Sequence, residues 1–295
     1  MSDVAVQAPL TTQTRRILAE GLGVVVEDFR CRTRVHTKGP EEANVRHSIV
    51  FIRRGMFIRQ RGRESVVADA NQILFFNAGE PYHIAHPAAG GDDCTILSVP
   101  ADLVLEVLER HMPRHAGRLE APFPFGSTVS QPWVARLQFE LLRGIRYPMD
   151  PAIDEVLIEA IETAVRCSCA MQAGLPDSDR PIPARTARRR RDLAEAAQVV
   201  INSSVGNPPS LTRLAKTLGC SPFHLSRVFR SQAGLSLRAY IARLRVHLAA
   251  ERLARGERDL TGLALDLGYT DHSHFTHSFR REWGAPPSAV RARYG

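Results

Sequence analysis

Long apolar runs are missing from this chain. None approaches the roughly 18 residues that a membrane-crossing helix requires, so neither a spanning segment nor a membrane partner is expected. The first thirty residues also lack the basic segment, unbroken apolar stretch and small-residue cleavage site of a secretory signal, since Arg15, Arg16, Glu20, Glu27 and Asp28 fall among them. A cytoplasmic location is expected on that ground. Cysteine is scarce and odd in number. Cys31, Cys94, Cys167, Cys169 and Cys220 stand at irregular spacing and do not make a disulfide framework.

What is present is a globular composition. The 295 residues are 44% apolar and 24% charged, which excludes a wholly disordered or collagen-like chain. That length suits two domains of roughly 100–200 residues better than one. The charge is unevenly shared. Residues 181–295 carry 19 Lys and Arg against 8 Asp and Glu, a net of +11, whereas residues 1–180 carry 20 against 23, a net of −3. A basic C-terminal third on a slightly acidic body points to nucleic acid as its partner.

Between about residues 24 and 100, β-rich runs at 22–26, 48–52, 56–59, 72–76, 82–85 and 95–99 alternate with turn signals such as Arg54-Gly55, Asn77-Ala78-Gly79 and Gly90-Gly91-Asp92. This is the pattern of a small antiparallel β domain. The period then becomes helical at 102–111, 132–146 and 153–171. In the last of these, Ile153, Val156, Leu157, Ala160, Ile161 and Ala164 form one stripe, either ordinary core or the seam of a homodimer, with packing favouring core. Pro176, Pro181 and Pro183, followed by Arg188-Arg189-Arg190-Arg191, read as a linker whose arginines are a solvated cluster or a source of phosphate contacts. The expected division is therefore 1–173, a linker at 174–191, and 192–295.

The C-terminal part contains a degenerate repeat. Leu211, Leu214, Ala215, Leu218 and Gly219 recur 49 residues later as Leu260, Leu263, Ala264, Leu267 and Gly268; Ser221, Leu225, Phe229, Arg230 and Gly234 recur 50 residues later as Asp271, Phe275, Phe279, Arg280 and Gly284. Each copy reads as helix, glycine turn, helix, with Ser221 and Asp271 as N-caps and Pro222 at the first helical position. Leu225, Val228 and Phe229 in one copy, and Phe275 and Phe279 in the other, mark the buried side. At about 100° per residue the opposite side carries Phe223, Ser226, Arg227 and Arg230, then Ser273, Thr276, His277 and Arg280. Small polar and cationic groups on a short helix held across a tight turn are the helix-turn-helix arrangement that reads base edges in the major groove. Between the copies, Leu237, Tyr240, Ile241, Leu244, Leu248 and Leu253 mark a single helix from Ser236 as cap to Gly256 as stop. Its span of about 30 Å is close to the roughly 34 Å turn of duplex DNA.

Leu260-Thr261-Gly262-Leu263-Ala264-Leu265-Asp266-Leu267-Gly268-Tyr269, followed by Phe275 and by Phe279-Arg280-Arg281-Glu282-Trp283-Gly284-Ala285-Pro286-Pro287-Ser288, closely resembles the signature of AraC/XylS-type transcriptional regulators. The resemblance covers about 192–294. It extends more weakly to Gly79-Glu80-Pro81-Tyr82-His83-Ile84-Ala85-His86-Pro87, which looks like the cupin-like sensor domain of such regulators. It implies an α+β chain: a jelly-roll-like sensor with a helical extension, then an all-α domain of two helix-turn-helix units joined by a long helix. It further implies a small-molecule effector, double-stranded promoter DNA and RNA polymerase as partners, and usually activation of transcription. The family's base-reading residues fall on Phe223, Ser226 and Arg227, then on His272, Ser273, His274 and His277, the last departing from the arginine often found there. Chemistry assigns Arg227 a bidentate contact to guanine and gives Arg230, Arg280 and Arg281 to phosphates.

The rival class is an enzyme, a cupin oxygenase or isomerase with a metal on two histidines and a carboxylate. His83 and His86 are three apart, which on a strand sends them to opposite faces; His36 and His47 stand alone, and no His-x-His with a following Glu is present. No catalytic metal, cofactor or enzyme activity is therefore expected. A small molecule in an apolar cavity is expected instead, with Phe57, Phe75, Tyr82 and His83 as its candidate contacts. Cys167 and Cys169 project about 200° apart on a helix. Cys31 and Cys94, near His36 or His86, form either a metal or redox sensor or, as the favoured reading, buried structural thiols.

Overall fold

A computed structural model of the chain describes residues 11–33, 37–112, 118–146, 153–173 and 183–294. His36 and linker residues 174–182 lie outside them. The strands are β1 (Thr11–Gly21), β2 (Val24–Thr33), β3 (Thr37–Glu42), β4 (His47–Gly55), β5 (Phe57–Arg61), β6 (Glu64–Ala68), β7 (Gln72–Phe76), β8 (Tyr82–His86), β9 (Asp92–Val99) and β10 (Ser127–Val129). They form a six-stranded sheet in the order β1-β2-β9-β4-β7-β10 and a four-stranded sheet in the order β3-β8-β5-β6. The pairings are antiparallel.

Strand alternation explains where the two apolar layers lie. Ile49 and Phe51 on β4, Ile73 and Phe75 on β7, and Leu97 and Val99 on β9 face away from the barrel, onto α1 (Ala101–His111), α2 (Pro132–Arg146) and α3 (Ile153–Ala173). Their sequence neighbours Val50, Ile52, Leu74, Phe76, Cys94 and Ile96 face between the sheets, where Phe57 and Tyr82 meet them. Leu157, Ala160, Ile161 and Ala164 of α3 are buried in the first layer, so this stripe is core within the chain. Cys169 is buried there too, with Cys167 packed at its margin.

Strand β1 was not legible as a strand because it is polar and exposed along most of its length. It is aligned by a two-residue hairpin turn, Leu22-Gly23, in which both residues take positive φ (53° and 73°). Leu22 thus belongs to a turn, which corrects the expected strand start at 22.

The C-terminal part is all-helical: α4 (Ala184–Asn202), α5 (Leu211–Thr217), α6 (Pro222–Ala233), α7 (Leu237–Ala254), α8 (Leu260–Asp266), α9 (His272–Trp283) and α10 (Pro287–Tyr294). Helix α4 corrects the expected linker. The arginines at 188–191 lie within it, because Ala184 to Asn202 is helical and Ala194, Ala197, Gln198 and Ile201 bury its inner side. Each helix-turn-helix core also takes in one side chain from the N-terminal part. Ala70 joins Leu214, Leu225, Phe229 and Tyr240 in the first. Phe139 of α2 joins Phe275, Phe279, Trp283 and Tyr294 in the second, its ring 5.3 Å from that of Trp283.

Candidate nucleic-acid interface and sensor cavity

The two repeat copies fold alike. Ser221 accepts a hydrogen bond from the His224 amide at 3.2 Å and Asp271 one from the His274 amide at 2.7 Å, so each second helix starts on a side-chain cap. Both helices run for 12 residues and end on a left-handed glycine, Gly234 at φ 70° and Gly284 at φ 84°. Leu225, Val228 and Phe229 bury one side of α6; Phe275, Ser278 and Phe279 do so in α9. Thr276 sits at the margin of that buried side with its hydroxyl inaccessible, unlike the rest of the expected set.

The outer sides carry the other candidates. Phe223 is 77% exposed, a large apolar ring with no core to enter. Arg227 lies over it, guanidinium carbon 5.9 Å from the ring centroid, which restrains the arginine beside an apolar surface. Ser226, Arg230, His272, Ser273, His274, His277, Arg280 and Arg281 are exposed. His274 is tied down, its Nδ1 3.1 Å from Thr270 Oγ1 and its ring edge-on to Tyr269. Arg281 pairs with Glu282 at 3.1 Å. Among the described residues, no carboxylate lies within ion-pair distance of Arg227, Arg230 or Arg280.

Helix α7, capped by Ser236 accepting from the Ala239 amide at 3.2 Å, joins the two copies. Its 18 residues give a rod of about 27 Å. Buried on it, His247 has its pKa pushed down to about 4, by burial first and then by the charge of Arg243. A folded value below the ordinary 6.5 means that stability is complete above pH 6.5 and falls as pH drops toward 4, because the unfolded chain takes up the proton first. The expected loss between pH 7 and pH 5 is about 2 kcal/mol. Urea midpoints at the two pH values should show it in the wild type and show much less in His247→Gln.

Between the sheets lies a small cavity of about 100 Å³ with an open mouth. Two of the four expected contacts line it and two do not. Phe57 and Tyr82 do, and the Tyr82 hydroxyl donates to Asn44 Oδ1 at 2.7 Å. Phe75 lies in the layer under the helices, and it is Phe76 that faces the cavity. His83 points off the cavity toward Glu41, 3.8 Å away, whereas His86, three residues on, lines it. Both corrections have one cause: adjacent strand residues face opposite sides. His47 is elsewhere again, accepting from the Ala78 amide at 3.1 Å.

Two further clusters were invisible in the sequence. Asp69, in the turn between β6 and β7, accepts hydrogen bonds from the Tyr240 hydroxyl and from Asn202 Nδ2 at 2.9 Å; beside it Asn71 Nδ2 donates to the Tyr240 carbonyl at 3.2 Å. Burial raises the Asp69 carboxyl above its ordinary range against the lowering effect of those donors. Asp93 of β9, fully buried, is met by Arg32 at 2.5 Å, Arg54 at 3.4 Å and, from the end of α7, Arg255 at 2.8 Å. Burial raises its pKa and the arginines more than reverse this. Both clusters join sequence-distant segments, and that separation hides them from periodicity.

Comparison with known proteins places this architecture. The AraC-binding-like domain family matches residues 7–169 and a helix-turn-helix domain family matches residues 214–293. The chain belongs to the AraC family of transcriptional regulators. It is a DNA-binding regulator of that family with an AraC-binding-like N-terminal domain built on two antiparallel β-sheets. Regulatory protein SoxS of Salmonella typhimurium is 37% identical over 93 residues, 32% of this chain and 87% of that one. The transcriptional activator RhaR of Klebsiella pneumoniae is 30% identical over 107 residues, 36% of this chain and 38% of its own. ToxT from Vibrio cholerae aligns over 92% of this chain and 98% of that one at 12% identity, with a TM-score of 0.35, a likeness too loose to carry weight. Among the described residues, no helix is long and apolar enough to cross a membrane.

Proposed function

We propose that this AraC-family regulator reads promoter DNA with the outer sides of α6 and α9, seated in successive major-groove segments on one face of the duplex, and that a small molecule in the sensor cavity alters that reading. The observation that carries the DNA half is the matched pair of 12-residue helices with side-chain caps and with exposed arginines, of which Arg227, Arg230 and Arg280 meet no carboxylate among the described residues. A rod of about 27 Å between the units suits the roughly 34 Å helical repeat. Phe223 is suited to a thymine methyl, Arg227 to guanine O6 and N7, and Arg230 and Arg280 to phosphates. The effector half is supported by the cavity, with Phe57, Phe76 and Tyr82 in its wall and Arg15 and Glu42 among its polar lining. An effector acts by its different affinity for two arrangements of sensor and reader. The output we infer is activation through contact with RNA polymerase, as the activators among the relatives suggest, and the chain acts as a regulator and not as an enzyme.

Footprinting with the full chain tests the reading. Discrete protected sites that survive scrambled competitor DNA are expected, and uniform coverage would sink it. Arg227→Ala should relax discrimination at one base position by about 1–3 kcal/mol. Arg280→Ala should instead weaken all sequences alike and reduce the salt slope by about one. Equal losses from both variants on every DNA would overturn the division of roles.

A further inference from the structure

We propose that Cys31, His86, Asp92 and Cys94 form a site for a thiophilic divalent cation of the zinc class in the wall of the sensor cavity. Three strands from both sheets bring them together: Cys31 from β2, His86 from β8, and Asp92 and Cys94 from β9. One ligating atom each from Cys31, His86 and Asp92 lies within 4.8 Å of the other two. The carboxylate joins the fourth residue to the group. Its Oδ1 is 2.8 Å from His86 Nε2, and its Oδ2 accepts from the Cys94 thiol at 3.2 Å. All four are buried, at 1%, 7%, 2% and 1% exposure, yet all four line the open cavity, so an ion has both a dry seat and a way in.

The donor set selects the ion. Two sulfurs and an imidazole favour a borderline or soft metal over magnesium or calcium, and the carboxylate favours a divalent ion. Metal–ligand distances of about 2.0–2.3 Å in a tetrahedron set neighbouring donors about 3.3–3.8 Å apart, so the Cys31, His86 and Asp92 donors need to contract by only about 1 Å, with Cys94 following from its place on the Asp92 carboxylate. On loading, the cation takes the place of the proton between His86 Nε2 and the carboxylate and of the thiol protons of Cys31 and Cys94, and these three protons leave to solvent. Val50, Phe57, Phe76 and Ile96 supply apolar wall on one part of the cavity, and Arg15, Glu42 and Asn44 supply polar wall on another. The proposal shares the cavity with the effector reading but does not rest on it.

The test uses the reduced full chain, stripped with a chelator and titrated with Co²⁺ in the absence of DNA. Saturation at one ion per chain is expected, with a sulfur-to-cobalt charge-transfer band and the strong visible bands of a tetrahedral site, both bleached by Zn²⁺. Cys31→Ser and Cys94→Ser should each diminish the charge-transfer band, and Asp92→Asn should weaken binding at least about tenfold. Cys220→Ser should leave all of this unchanged. Absence of the charge-transfer band in the wild type would overturn the site, whatever the variants do. So would a full band in both Cys31→Ser and Cys94→Ser, which would put the cobalt elsewhere. Either failure leaves the effector reading standing, because no effector and no DNA enter the measurement.

Discussion

Asp69→Ala is expected to cost about 3–5 kcal/mol and to separate the unfolding of the two halves of the chain. Asp69 is fully buried, and its carboxylate is the acceptor for the Tyr240 hydroxyl, for Asn202 Nδ2 and for the Asn71 amide. Alanine leaves the Tyr240 hydroxyl and the Asn71 amide without their acceptor, while Asn202 Nδ2 keeps the Gln198 carbonyl at 3.0 Å, and each orphan costs about 1–3 kcal/mol. Tyr240 and Asn202 belong to the reader and Asp69 to the sensor, so the loss falls on the joint between them. Urea unfolding followed separately by near-ultraviolet signal and by DNA binding should give coincident midpoints for the wild type and divergent ones for Asp69→Ala. Asp69→Asn, which keeps one acceptor oxygen, should lie between them. Coincident, unshifted midpoints in the alanine variant would show that the network contributes nothing to cohesion.

Phe279→Ala is expected to cost about 3–5 kcal/mol and to remove one of the two DNA contacts altogether. Its side chain is fully buried, with ring centroids of Phe275 and Trp283 each 5.7 Å away. Deleting it opens a cavity beneath the second reading helix. The neighbouring His277→Ala, on the exposed side, should leave stability within about 0.5 kcal/mol while still affecting operator affinity. Thermal unfolding and gel-shift titration of the pair separate the role of the buried ring from that of the exposed one. A Phe279→Ala protein as stable as the wild type would mean that the helix is not anchored as described.

The reader was legible because its signals are local. Capping residues, a glycine stop and apolar spacing at 3.6 residues all lie within one unit, and the second copy repeats them, so Ser221, Asp271, Gly234 and Gly284 could be assigned from spacing alone. The sensor was legible only in part. Its strands at β4, β7 and β9 stood out by their apolar content, but β1 is polar and β3 holds Gly39 and Pro40, so neither announced itself. The choice of Tyr82 together with His83 for one cavity set two strand neighbours on the same side, which the two-residue period forbids. Applied along β8 from Tyr82, that period would have selected Ile84 and His86. The approach of Cys31 to His86 depends on how the two sheets face each other, and no local rule contains it.

The placement of Phe139 and Ala70 has a practical consequence for anyone cutting this protein apart. A fragment released at the proline-rich joint would expose Trp283 and Tyr294 where α2 had covered them, and open a gap beside Phe229 and Tyr240 where the β6–β7 turn had sat. Its loss of solubility would then say nothing about promoter recognition. Chimeras that graft a foreign sensor onto these helices need to supply an aromatic plug and a small one at the same two seats.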